Sequence, residues 1–107
     1  MTDKIVVYST CGSAEEAKKL ARHLVENRLA ACVNVFPRVE SCYRWKGEVQ
    51  EEAEVLLLIK SSRGLFDRLR KEWERIHSYE VPELIAVPIV DGAQPYLNWM
   101  ERELAGS

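Results

Sequence analysis

The spacing of apolar positions changes several times along the chain, and each change marks an element. Residues 4–10 form a short β-rich run that ends at Cys11-Gly12, which is turn chemistry. From Ser13 the period lengthens, and Ala14, Ala17, Leu20, Ala21, Leu24 and Val25 recur at helical spacing to make one apolar stripe. Ser13 with Glu16 three residues later fits a capping box, in which two orphaned amides are satisfied reciprocally. Asn27 suits a left-handed stop. Residues 31–36 then read as a second strand, closed by Pro37.

Residues 39–60 read as a hairpin. Tyr43 and Trp45 alternate onto one face, Lys46-Gly47 is the turn, and residues 48–60 return as one long strand. Ser61 or Ser62 caps a second helix whose buried side carries Leu65, Phe66, Leu69, Trp73 and Ile76. Residues 78–82 form a loop, and residues 84–90 a fourth main strand in which Pro88 indicates an edge or a bulge. A short terminal helix over about 94–104 carries Tyr96, Leu97, Met100 and Leu104.

The order is β-α-β-β-α-β plus a terminal helix. It predicts an α+β fold of the ferredoxin-like kind, two helices covering one face of an antiparallel sheet, over a single domain spanning residues 1–107. Two features do not suit a lone copy. The runs Ile5-Val6-Val7-Tyr8, Val55-Leu56-Leu57-Leu58-Ile59 and Leu84-Ile85-Ala86-Val87 are apolar on both faces, whereas a two-layer fold needs only one apolar face. The strand 48–60 would also span roughly 40 Å if extended, against a gyration radius of ~13 Å for a chain of this size. The hairpin should overhang as an arm, and the chain should be an obligate homo-oligomer.

Composition sharpens the class. The 107 residues are 47% apolar, enough for one core. Lys and Arg number 15 against 17 Asp and Glu, so the net charge of −2 lacks the basic excess of a dedicated nucleic-acid binder. No signal peptide is legible at the start, and no apolar run is long enough to span a membrane. Cys11, Cys32 and Cys42 are odd in number and form no C-x-x-C pair, which fits a reducing, cytoplasmic setting. No phosphate-cradling glycine loop, H-E-x-x-H or nucleophile elbow is present. Glu48, Glu51, Glu52 and Glu54 read as a solvated edge rather than an active site, and His23 as solvent-facing, so no enzyme is indicated. Cys11 has two readings: a thiolate favoured by the helix start that follows Gly12, or a small buried hydrophobe. Cys32 reads as core, Cys42 as packed at an interface, and Trp45, Trp73, Tyr79, Tyr96 and Trp99 as packing.

Several stretches together resemble the CutA family of divalent-cation tolerance proteins. They are Glu26-Asn27-Arg28-Leu29-Ala30-Ala31-Cys32-Val33-Asn34, Tyr43-Arg44-Trp45-Lys46-Gly47-Glu48, His77-Ser78-Tyr79-Glu80-Val81-Pro82-Glu83 and Tyr96-Leu97-Asn98-Trp99, in the family's order over nearly the whole chain. The resemblance implies a cytoplasmic homotrimer of ferredoxin-like subunits that acts in tolerance of copper or another divalent metal, with no organic cofactor. It implies His77 as a metal ligand, beside a second reading of His77 as a helix C-terminal cap. The family pattern also places a thiol in the first strand and a second histidine just before His77. Here Ser9 and Ile76 hold those positions, and Cys11 is the nearest soft ligand. The subunit further resembles the PII signal proteins, which gives an alternative: a trimeric signalling module binding a small ligand or protein partner in clefts between subunits.

Overall fold

The doubly apolar run at the start of the chain becomes the inside of the sheet. In the computed structural model, which describes residues 2–105, β1 (Lys4–Cys11), α1 (Ala14–Glu26), β2 (Cys32–Trp45), β3 (Glu48–Ser62), α2 (Phe66–Ile76), β4 (Ile85–Pro88) and α3 (Gln94–Ala105) follow in that order. The strands lie β2-β3-β1-β4, and every pairing is antiparallel. This is the expected ferredoxin-like arrangement. Alternate residues of the central strands, Ile5, Val7 and Cys11 with Val55, Leu57 and Ile59, meet Ala17, Leu20 and Leu24 of α1 and Leu69 and Trp73 of α2 in one buried core. A smaller cluster of Ala31, Met100 and Leu104 seats α3.

Several boundaries differ from the sequence reading. Pro37 does not close a strand: β2 runs on through it, and the pairing with β3 shifts register between Phe36 and Val39. A bulge leaves a backbone N–H without a ladder role, which is where proline costs least. Ser61 lies inside β3, buried, and its hydroxyl donates to the Leu29 carbonyl, while Ser62 leads into a 3-10 turn without a side-chain cap. Only Ile85–Pro88 form β4, with Pro88 on the sheet edge as expected. The left-handed residue after α1 is Arg28, φ 56°, and not Asn27, which instead bonds back to the His23 carbonyl. The capping box is half made: Ser13 accepts from the Glu16 amide, but the Glu16 carboxylate accepts from Ser78 N–H. His23 is not solvent-facing, since its ring meets Glu72 of α2. Cys32 is only half-buried.

The arm is present. β1 ends where Cys11 pairs with Val55, so residues 39–54 continue as a two-stranded ribbon. Lys46 (φ 50°) and Gly47 (φ 84°) make its two-residue turn, between the paired Trp45 and Glu48. The chain consequently measures 44 × 25 × 23 Å.

Candidate functional site

The short β4 determines the site. It pairs only with Ile5–Tyr8 of β1, so the last residues of β1 have one edge without a strand partner. A backbone carbonyl at such an edge needs another donor. α2 ends beside it, and its cap residue His77 turns into extended conformation there. His77 Nε2–H donates to the Thr10 carbonyl at 2.8 Å, and Tyr79 N–H donates to His77 Nδ1 at 3.0 Å. A carbonyl can only accept and an amide N–H can only donate, so the tautomer is fixed with the proton on Nε2. Both ring nitrogens are engaged. The ring is buried, edge-on to Trp73 at 5.4 Å between centroids and against Tyr79 at 4.7 Å.

Cys11 occupies the same end of β1, facing the core. It is fully buried and its thiol donates to the Ser13 carbonyl at 3.4 Å. Burial pushes the thiol pKa up, the carboxylates of Glu16 and Glu54 add to the rise, and the Ser13 backbone, where it faces the sulfur as a donor, works in the opposite direction. The thiolate reading of Cys11 is therefore corrected in favour of the buried one: the strand directs its side chain into the core, where burial outweighs the nearby helix start. Within the chain Cys11 is the buried thiol, while Cys42 is exposed and Cys32, read as core, is half-buried. Ser9, at the position where the resemblance places a thiol, is a buried hydroxyl that accepts from Trp73 Nε1 at 2.9 Å and donates to the Glu83 carbonyl. The structure thus sets His77 on the carbonyl of the residue before Cys11 but directs the Cys11 thiol into the core, and it presents no ready ligand set. Among the described residues no group of three or more His, Cys, Asp or Glu side chains is arranged to hold a metal ion.

Two residues beside them carry more than the sequence reading gave them: Tyr79 packs on His77 as expected but also bonds through its hydroxyl, and Glu54 is buried rather than a solvated edge. Tyr79 directs its hydroxyl to Glu54 at 2.7 Å, and Glu54 is only 7% exposed. Burial first, and the Glu54 carboxylate second, raise the Tyr79 pKa far above that of a free phenol. Both residues line a groove of about 720 Å³ between the arm and the loop after His77, together with Tyr43, Trp45, Glu52, Glu80 and Glu83; neither Lys nor Arg lines it. On its far wall Tyr43 donates to Glu52, which pushes the Tyr43 pKa up to about 12.

The description "CutA1 divalent ion tolerance protein" matches residues 5–103. The "Divalent-cation tolerance protein CutA" of Thermus thermophilus is 48% identical over 101 residues, covering 94% of this chain and 97% of that protein. "Protein CutA, chloroplastic" of Arabidopsis thaliana is 46% identical over 97 residues, 91% of this chain; the chain spans about half of that longer relative, 53%. Among solved structures, CutA from Xylella fastidiosa superposes with a TM-score of 0.92 at 36% identity, covering 96% of this chain and 99% of that one.

Proposed function

The chain belongs to the CutA1 divalent ion tolerance family, and on that premise we propose that it serves divalent-cation tolerance by binding the ion itself, copper or another divalent metal, as a homotrimer in the cytoplasm. Its relatives are named as tolerance proteins and not as enzymes. The observation that carries the metal reading is that His77 binds the carbonyl of Thr10, the residue before Cys11, beside a groove lined by four glutamates. We assign the ion to His77 Nδ1 and the Cys11 sulfur. Ligation exchanges the Tyr79 amide for the ion on Nδ1 and releases the thiol proton. The glutamates of the groove raise the local cation concentration ahead of that exchange.

Trimer formation is supported by the second face of the sheet, where Phe36, Ile85 and Val87 are exposed, and by Tyr43 and Trp45 exposed on the arm. Three unpaired thiols suit a reducing compartment. No helix among the described residues is long and apolar enough to cross a membrane. The test is metal analysis of the purified protein followed by calorimetry with copper, on wild type and on the His77→Ala, Cys11→Ser double variant. The double variant should bind at least tenfold more weakly; equal affinity ends the metal reading.

The alternative, a trimer resembling the PII proteins that takes a small ligand between subunits, is favoured by the groove alone, whose volume suits a small molecule. A ligand screen that finds binding abolished by Trp45→Ala, with no copper bound by wild type, would select it.

A further inference from the structure

The groove between the arm and the loop after His77 carries negative charge that the rest of the molecule does not answer. Glu52 and Glu54 of β3 stand on its arm wall, and Glu80 and Glu83 come from the loop. Among the described residues none of these four forms an ion pair, whereas Asp67, Glu72, Glu74 and Glu101 each have a basic partner. Glu54 is the sharpest case. It is only 7% exposed, its Oε2 accepts from the Tyr79 hydroxyl, and its Oε1 has no partner. No side-chain oxygen or nitrogen among the described residues is both sealed from solvent and unpartnered, so Oε1 still reaches open space, and the space beside it is the groove. A carboxylate so deeply buried is ordinarily matched by a cation.

The walls indicate which kind of cation. Glu52 and Glu54 lie two residues apart on one face of β3, which sets their Cα atoms about 7 Å apart, and the other two reach in from a separate segment. Among the described residues no three acidic, His or Cys side chains converge on one point as a metal ion needs. Between the carboxylates the groove is aromatic, with Tyr43, Trp45 and Tyr79. Both tyrosine hydroxyls donate to glutamates at 2.7 Å, Tyr43 to Glu52 and Tyr79 to Glu54, which fixes the rings and enriches their faces in electrons. Such faces attract an ammonium and also accept the methylenes that carry it. A metal ion wrapped in its own water gains little from them.

We propose that the groove is a binding site for a linear aliphatic polyamine, its ammonium groups on the dispersed glutamates and its methylene chain along Trp45 and the two tyrosines. A volume of about 720 Å³ is ample for such a chain. The proposal deepens the small-ligand alternative above and rests on the groove alone. Neither His77 nor Cys11 lines it, so the outcome of copper calorimetry does not bear on it.

The test is calorimetry of the whole chain with spermidine at low ionic strength, beside two dications of equal charge, putrescine and magnesium. Spermidine should bind saturably, and putrescine should bind more tightly than magnesium. No saturable spermidine binding, or magnesium equal to putrescine, overturns the site. Glu52→Gln and Glu54→Gln each keep an acceptor for their tyrosine and remove one charge. Spermidine affinity should fall about fivefold in the first and about tenfold or more in the second, where the carboxylate is buried. Glu103→Gln removes the same charge from α3, outside the groove, and should change affinity by less than about twofold. An equal loss there would reduce the binding to general attraction by an acidic protein and refute the site. Trp45→Leu keeps an apolar side chain without a π face and should weaken binding about threefold. Unchanged affinity in both Trp45→Leu and Glu54→Gln places the amine elsewhere and overturns the proposal. Another small ligand whose binding is abolished by Trp45→Ala, with no binding of spermidine, keeps the small-ligand reading and rejects the polyamine.

Discussion

Ser9 shows how much one buried hydroxyl can organise. It joins Trp73 of α2 to the Glu83 carbonyl of the loop, and it is fully buried. Ser9→Ala leaves an indole N–H and a carbonyl without partners, and it should cost about 1–3 kcal/mol in urea unfolding. A second residue-level expectation concerns acid. Arg75, then His23, hold the Glu72 carboxyl down at about 2. A carboxylate whose pKa is lowered on folding stabilises fully above its ordinary value near 4.5 and loses that effect as pH falls toward 2. The stability gap between wild type and Glu72→Gln should therefore be widest above pH ~5 and shrink toward pH ~2, measured by urea midpoints across that range. At this scale the sequence was only partly legible. His77 was singled out correctly as the residue closing α2. Of the two readings of Cys11 the buried one holds, and the turn signal of Cys11-Gly12 could not decide between them because it gave no hint that the strand keeps its inward alternation to its last residue. Tyr79 and Glu54 could not be paired from spacing, since 25 residues separate them and the contact exists only once the loop folds over the sheet.

The elements were more legible than the contacts. Period alone gave both long helices, and Lys46-Gly47 marked the hairpin turn. What the period missed was continuity, because Pro37 reads locally as a stop while the bulge between Phe36 and Val39 lets the ladder resume. The fourth strand was read too long: apolar residues 89 and 90 continue the pattern, yet the regular ladder ends at Pro88, and Ile89 keeps only backbone bonds to Lys4 and Thr2. The ribbon beyond Val55 has only two strands, so its turn is supported by little else. Gly47 has φ 84°, and Gly47→Ala should strain the turn by about 1–2 kcal/mol. Amide exchange should accelerate at residues 43–50 and stay unchanged in β1; equal acceleration throughout would show that the ribbon and the core open as one unit.

At the scale of the whole molecule, apolar residues on both faces of the central strands were the most informative signal, since they announced an uncovered face before any contact was known. Ile85 and Val87 are 57% and 47% exposed on it. Sedimentation equilibrium should find a species three times the 12.3 kDa chain even at low concentration, and a stable folded monomer would refute the proposed assembly. Trp45→Ala should loosen it by on the order of 2 kcal/mol or more, read as concentration-dependent dissociation. The strand order also has a temporal side. β1 is synthesised first yet lies between β3 and β4, and its first residue to pair with β4, Ile5, takes Pro88 as its neighbour. At about 5–20 residues per second a ribosome needs several seconds to deliver β3, and longer for β4. Throughout that interval β1 has two bare edges and only α1 to lie against, while the β2–β3 ribbon, joined by a two-residue turn, can close as soon as it emerges. The centre of the sheet is thus the first part of the protein to be made and the last to be completed.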